Sequence, residues 1–309
     1  MSRKKFLLVD GHALIYRSFF AFPKSFTRSD GQMINAVYGF SRILLTAIRN
    51  LDPFYMAVTF DHPSPTNRAK DFEFYKINRP TMPEELQPQI AIIREVVEAL
   101  NIPQFQLEGY EADDLIGTIN TRVEERDKTL LTIILTGDQD MFQLVDNDTH
   151  VYLPGRGKGQ EDTEYDEELV KKKIGVQPDQ VIELKGLMGD SSDNIPGVKG
   201  VGPKTAIALI EKFASVDGVY EALDKQTADP IFSPSLIKKL NSDRKNAFLS
   251  RELATIIKNA PVQFNLEDCA VTQYNKEKVV TLFQSLNFKS LLNFLPKDEF
   301  ETTVQEALF

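Results

Sequence analysis

Three apolar runs that each finish on acids constrain this chain more than anything else in it. Lys5-Phe6-Leu7-Leu8-Val9-Asp10 is the first, residues 54–61 repeat the theme and close on Asp61, and residues 129–135 lead into Thr136-Gly137-Asp138-Gln139-Asp140. Continuous apolar runs of this length are the pattern of parallel strands buried on both faces. Amphipathic stretches lie between them. Residues 13–22, 31–51 and 84–100 read as helices, the second with a core stripe of Val37, Phe40, Ile43, Leu44, Ala47 and Ile48. Residues 103–107 read as a short strand or extended link. The alternation predicts an α/β fold with a mainly parallel central sheet flanked by helices. Acids at the ends of such strands point into the crevice where open α/β sheets bind ligands. For Asp10 taken alone, capping of the next helix fits equally well.

A fourth acidic stretch, Gly109-Tyr110-Glu111-Ala112-Asp113-Asp114, opens the helix before the third strand. One or two acids at a helix start are ordinary partners of its dipole. Three, facing Asp138 and Asp140, raise one another's pKa unless a cation offsets them. A single cysteine, Cys269, rules out internal disulfides and thiolate-rich metal sites, and three histidines make a His-based zinc site a poor fit. Oxygen-ligand metals, Mg²⁺ or Mn²⁺, suit the donor set. No apolar run approaches a membrane span, and residues 1–5 lead straight into a strand, not into a signal segment, so the expected location is the cytoplasm. The net charge of −9 argues weakly against nucleic acid, but a concentrated acid pocket would leave a less acidic surface elsewhere.

Two further stretches carry information. Residues 62–82 mix Arg68, Lys70, Lys76 and Arg79 with Phe72, Phe74 and Tyr75 between prolines. Such a mixture suits a surface tracking single-stranded nucleic acid. Composition alone favours an ordinary solvated loop, because Asp71 and Glu73 dilute the charge. Residues 150–164, with Gly155, Arg156, Gly157, Lys158 and Gly159, read as a flexible connection or small hairpin. The second stretch runs from Gly189 through Asp190, Asp193, Gly197, Lys199, Gly200, Gly202, Pro203 and Lys204 to Thr205. Pro203 separates Gly202 from Lys204, so this is no P-loop. It reads as a glycine turn between two helices, with Lys199 and Lys204 adding charge. The backbone N–H groups of Gly200 and Gly202 can then face a phosphodiester without reading sequence. Residues 166–188 read as two short helices, 216–294 as amphipathic helices and 296–309 as an acidic tail. No internal repeat stands out.

Together these stretches, with Tyr75-Lys76-Ile77-Asn78-Arg79-Pro80, resemble the 5′-nuclease (flap endonuclease) family, most closely its bacterial branch. The resemblance covers roughly residues 4–295. It implies a PIN-like core (1–175) with a helical arch (62–90), a helical C-terminal subdomain (176–295) with a helix-hairpin-helix (186–213), and the tail. It also implies that Asp10, Asp61, Glu111, Asp113, Asp114, Asp138, Asp140, Asp190 and Asp193 form a pocket for two or more Mg²⁺ ions, with Mn²⁺ as a substitute. Lys76 and Arg79 would be arch cations near the scissile phosphate, with Arg68 a further arch contact and Tyr75 stacking on a base. Lys199, Gly197, Gly200, Gly202, Lys204 and Thr205 would hold duplex DNA, with K⁺ in the turn. Family members commonly carry an aromatic-Arg-His run where this chain has Asn67-Arg68-Ala69, and a lysine at the position of Gln139.

The implied chemistry is two-metal phosphodiester hydrolysis acting as a 5′–3′ exonuclease and 5′-flap endonuclease in replication and repair, on DNA with a 5′ flap, nick or overhang and on RNA–DNA junctions. The implied state is a monomer working with a polymerase, fused or separate. A junction-binding protein without catalysis is the alternative. An acid-cluster ribonuclease would have no use for the glycine turn, and a phosphohydrolase with an Asp nucleophile usually shows a D-x-D spacing that Asp10-Gly11-His12 lacks.

Overall fold

The structure, a computed structural model, describes residues 3–28, 30–155, 159–271 and 274–297. Six strands form one sheet: β1 (Lys5–Asp10), β2 (Tyr55–Thr59), β3 (Gln104–Phe105), β4 (Leu131–Leu135), β5 (Thr149–Leu153) and β6 (Thr163–Tyr165). Their order is β3-β2-β1-β4-β5-β6, parallel throughout except for β6, which runs antiparallel to β5. The chain therefore builds outward from β1 to β3 on one side and from β4 to β6 on the other. The reversal falls between β1 and β4, where a doubly wound sheet leaves its crevice.

The apolar runs are continuous because both faces are covered. Leu7 and Val9 pack with α1 (Gly11–Ala21), α2 (Asn35–Leu51) and α4 (Gln87–Ala99) in one core cluster. Phe6 and Leu8 point the other way, into a second cluster with Leu115, Ile116 and Ile119 of α5 (Ala112–Arg126). Each such side chain contributes about 1.5–3 kcal/mol by leaving water.

Several expectations shift. The second helix begins at Asn35, not residue 31, because Arg28 N donates to Gln32 O and Gly31, at φ +84°, closes that turn. The predicted arch over 62–90 contains only α3 (Asn67–Asp71) before α4 starts at Gln87; the turns after α3 set Lys76 and Arg79 against Glu111 and Asp193, and Met82 and Leu86 pack into the core. Residues 149–165 form the β5–β6 hairpin, and Arg156, Gly157 and Lys158 lie outside the described residues, as does the tail from 298.

Beyond α6 (Glu167–Ile174), a helical unit forms from α7 (Val181–Met188), α8 (Pro203–Phe213), α9 (Val216–Asp224), α10 (Pro234–Ser242) and α11 (Arg244–Ala254), around Leu184, Leu187, Leu209, Ile210, Val219 and Tyr220. Within the expected helical subdomain of 176–295, the residues after α11 also pack on the α/β core. After α11 the chain returns to the α/β core. Arg122 donates to Ala260 O, Ala270 bridges Tyr55, and α12 (Lys276–Ser285) places Phe283 beside Phe288, which meets Tyr38 edge-on. Among the described residues no helix is long and apolar enough to cross a membrane.

Candidate active site

The register of the sheet brings the first acids together. Val9 pairs with Leu135, so Thr136 follows beside Asp10. Thr136 Oγ1 donates to Asp10 Oδ2 at 2.7 Å, and Ala13 N donates to Oδ1 at 3.0 Å. Asp10 is therefore both the cap of α1 and a wall of the crevice, and only 2% of it is exposed. Burial pushes its carboxyl up to about 7, against the two hydrogen bonds, with Asp138 and Asp61 adding to the rise. Asp113, in the first turn of α5, is also raised, by burial and then by Asp10, with Lys76 opposing. Asp138 caps the 3₁₀ turn Gln139–Leu144 by accepting from Asp140 N at 2.9 Å. Asp61 accepts from Ala112 N at 2.8 Å, and its own N–H donates to His12 Nδ1 at 2.9 Å. That ring nitrogen is an acceptor, so the 3.9 Å approach of His12 to the Asp61 carboxylate is no ion pair. Burial of His12, whose pKa is lowered, agrees.

The remaining acids are held by cations. Lys76 Nζ donates to Glu111 at 2.9 Å and lies 3.8 Å from Asp193; Arg79 Nη2 donates to Asp193 at 2.6 Å. Burial works against the Lys76 charge, but Glu111 and Asp193 outweigh it and raise its pKa. Lys185 of α7 donates to Asp140 and, at 2.6 Å, to Asp190. One ammonium leaves its two partners different. Burial and Asp138 raise Asp140 to about 6 despite Lys185. Burial would raise Asp190 too, but Lys185 and the N–H and hydroxyl of Ser192 hold it near about 2. The space among Glu111, Asp113, Asp140 and Asp193 is only about 20 Å³. As the side chains stand, no three metal-ligating groups among the described residues converge closely enough to hold an ion, and Glu111, Asp140, Asp190 and Asp193 are turned to ammonium and guanidinium groups. The donor set nevertheless fits a hard cation: it is all oxygen, and its innermost members are carboxyls whose ionisation burial opposes.

Four expectations change on this geometry. Asp114, 1% exposed, has both oxygens satisfied by Arg68 at 2.8 Å each and by the N–H groups of Glu111 and Ile257, so it has no oxygen left for a metal. Arg68 also donates to Thr255 O, and this lock takes it away from any arch contact with DNA. Tyr75 is buried with Ile195, Leu253 and Ala254 and donates its hydroxyl to Glu111, so it is not an open stacking surface. Gly197 is buried, and a Cβ there would lie 2.2 Å from Gly189 N; it is a packing glycine, not a duplex contact.

The rest of the turn does face solvent. Lys199, Gly200, Gly202 and Lys204 are exposed, and Thr205 is half-buried in the first turn of α8. Gly200 has φ +80°, and its carbonyl accepts from Lys239 Nζ at 2.9 Å, while a Cβ on Gly202 would meet nothing within 4 Å. Asn67, one of the unusual residues, donates its N–H to Gly109 O at 2.8 Å and so ties α3 to the acidic motif. Gln139 lines a cleft of about 1410 Å³ beside Asp138, with Arg17, Phe20 and Arg42. Sequence reasoning missed Thr136, His12, Lys185 and Lys239. Thr136, next to the strand-ending acids, is the one that pairing logic could have found.

Comparison with known proteins agrees with the fold. Residues 5–175 match the family model of the 5′-3′ exonuclease N-terminal resolvase-like domain, and residues 176–277 that of the 5′-3′ exonuclease C-terminal SAM fold. The chain belongs to the 5′–3′ exonuclease family. It is 41% identical over 307 residues to DNA polymerase I of Bacillus subtilis, which covers 99% of this chain and 34% of that protein. It is 45% identical over 294 residues to DNA polymerase I of Chloroflexus aurantiacus, covering 94% of this chain and 30% of that protein. The chain thus spans about a third of the length of these relatives. Among solved structures, the T5 D15 protein co-crystallised with metal ions shares the fold at TM-score 0.64 and 20% identity, covering 92% of this chain and 99% of that one. The catalytic core of Rad2 in complex with a DNA substrate does so at TM-score 0.60 and 18% identity, covering 95% and 93%.

Proposed function

We propose that this chain is a Mg²⁺- or Mn²⁺-dependent 5′ nuclease that hydrolyses DNA phosphodiesters at 5′ ends and at the base of 5′ flaps. The observation that supports the reading is that Asp10, Asp113 and Asp138 lie within electrostatic reach of one another near the switch point of the sheet, where burial raises the pKa of Asp10 to about 7 and that of Asp113 well above its usual value. A cation placed among such carboxyls favours their ionised forms.

Asp10, Asp113 and Asp138 hold it, with Asp61 oriented by Ala112 N and with Glu111, Asp140, Asp190 and Asp193 around them. When bound, divalent cations supply an activated water nucleophile and charge stabilisation at phosphorus and at the leaving oxygen. Lys76 and Arg79 stand at the mouth of the same cluster, with Arg79 half-exposed, and neutralise phosphate charge that builds during cleavage. The turn before α8 grips the duplex through Lys199, Gly200, Gly202, Lys204 and Thr205, with K⁺ as a candidate ion there. Such contacts read backbone, not sequence. Substrates are DNA flaps, nicks and overhangs and RNA–DNA junctions in replication and repair, beside a polymerase that is fused or separate.

The test is cleavage of a 5′-labelled double-flap DNA in Mg²⁺, in EDTA and with Asp138→Ala. Cutting at the flap base that both EDTA and the substitution abolish supports the proposal. Tight binding without cutting in Mg²⁺ or Mn²⁺ would replace it with junction binding alone.

A further inference from the structure

Lys185 differs from the other cations among the acids. Lys76 and Arg79 reach in from the turns after α3, whereas Lys185 sits within α7, one helical turn after buried Val181, and is 8% exposed. Its helix is clamped: at the next residue, Gly186, a Cβ would lie 2.9 Å from Val216 and 3.1 Å from Ala247 O. The ammonium therefore cannot be withdrawn by moving a loop. It donates to Asp140 and Asp190 together, while among the described residues Asp10 and Asp138 accept hydrogen bonds from Thr136 and from backbone N–H groups.

We propose that Lys185 is a positioning residue that serves as a built-in cation, holding Asp140 and Asp190 together and weakening divalent-ion binding on their side of the cluster. The Asp10–Asp113–Asp138 side is then the high-affinity site, and a second ion binds only against the ammonium. This rests on the metal reading above and deepens it. Like charges a few ångström apart in a partly buried site repel strongly enough to cost about tenfold or more in affinity.

The experiment is Mn²⁺ titration of the full chain without DNA, by calorimetry and by electron paramagnetic resonance, with thermal melting alongside. The wild type binds one Mn²⁺ tightly and a second about tenfold or more weaker. Lys185→Met strengthens the second ion about tenfold or more and enlarges the Mn²⁺-induced rise in melting temperature, while Lys185→Arg, which keeps the charge, behaves as wild type. Should Lys185→Met not fold without metal, Lys185→Gln, which keeps a donor and loses the charge, gives the same readout. Second-ion affinity unchanged or reduced in the uncharged variants overturns the inference. Mn²⁺ binding that is absent, or indifferent to Asp138→Asn, overturns the metal reading itself and this inference with it.

Discussion

Replacing Arg68 with alanine separates a structural role from a DNA-contacting one. Its guanidinium is 12% exposed and makes two 2.8 Å hydrogen bonds to Asp114, whose side chain is 1% exposed. Removing one member of a buried ion pair costs about 3–5 kcal/mol, because the other charge stays buried. Asp114 keeps two N–H donors, from Glu111 and Ile257, so the lower figure applies. Thr255 O loses its donor as well, adding about 1 kcal/mol. The total of about 4 kcal/mol lowers the melting temperature by about 8 °C, at about 2 °C per kcal/mol for a chain of this size. Urea unfolding followed by circular dichroism measures it, and a cycle with Asp114→Ala isolates the pair. The double variant should be more stable than the two single losses predict, by about 2 kcal/mol or more. A loss under about 1 kcal/mol with simple additivity, accompanied by weaker flap binding, would refute the lock and return Arg68 to the arch.

Two further outcomes follow from the site. Asp10 has a folded pKa of about 7 against an ordinary value of 3.8, so between those pH values the folded state binds more protons than the unfolded one. Its contribution to metal-free stability is complete below pH 3.8 and is lost as pH rises through about 7; Asp10→Asn should remove that window, and a wild type gaining stability relative to Asp10→Asn between pH 5 and 7 would contradict the assignment. Because the cation binds ionised carboxylates, Mg²⁺ should raise the melting temperature more at pH 8 than at pH 5.5. At the glycine turn, Gly202→Ala should leave stability within about 0.5 kcal/mol, since its added Cβ meets no protein atom within 4 Å, yet weaken binding of duplex DNA by crowding the phosphate. Gly200→Ala should destabilise the fold, because φ is +80° and Lys239 lies 3.0 Å from the new Cβ; equal melting temperatures for the two variants would contradict this division.

The sheet was legible because burial on both faces leaves an unbroken apolar signal, and because an acid at the end of such a run has few other reasons to be there. Phe6 and Leu8 serve one core, Leu7 and Val9 the other, and Asp10 follows at the edge. The partners of the acids were harder to see. Arg68 and Tyr75 belong to a basic-aromatic stretch whose composition is the same for a DNA-tracking surface as for a cap that folds back onto carboxylates. Lys185 lies in the short sequence VIELKGLM, and nothing local tells that packing against the turn after β4 will bury it. The return of the chain after α11 depends on pairing Ala270 with Tyr55, a contact between distant residues with no local signature. Conversely, Gly197 looked like its neighbours Gly200 and Gly202, but only the structure separates a glycine required by backbone packing from two that face outward.

The most direct test of the account is anomalous X-ray scattering from crystals grown with Mn²⁺. The account predicts a peak bounded by Asp10, Asp113 and Asp138 at the C-terminal edge of β1 and β4, with any second, weaker peak on the side of Asp140 and Asp190. Manganese found only away from these carboxylates, with Asp10 and Asp113 left facing each other unbridged, would contradict it.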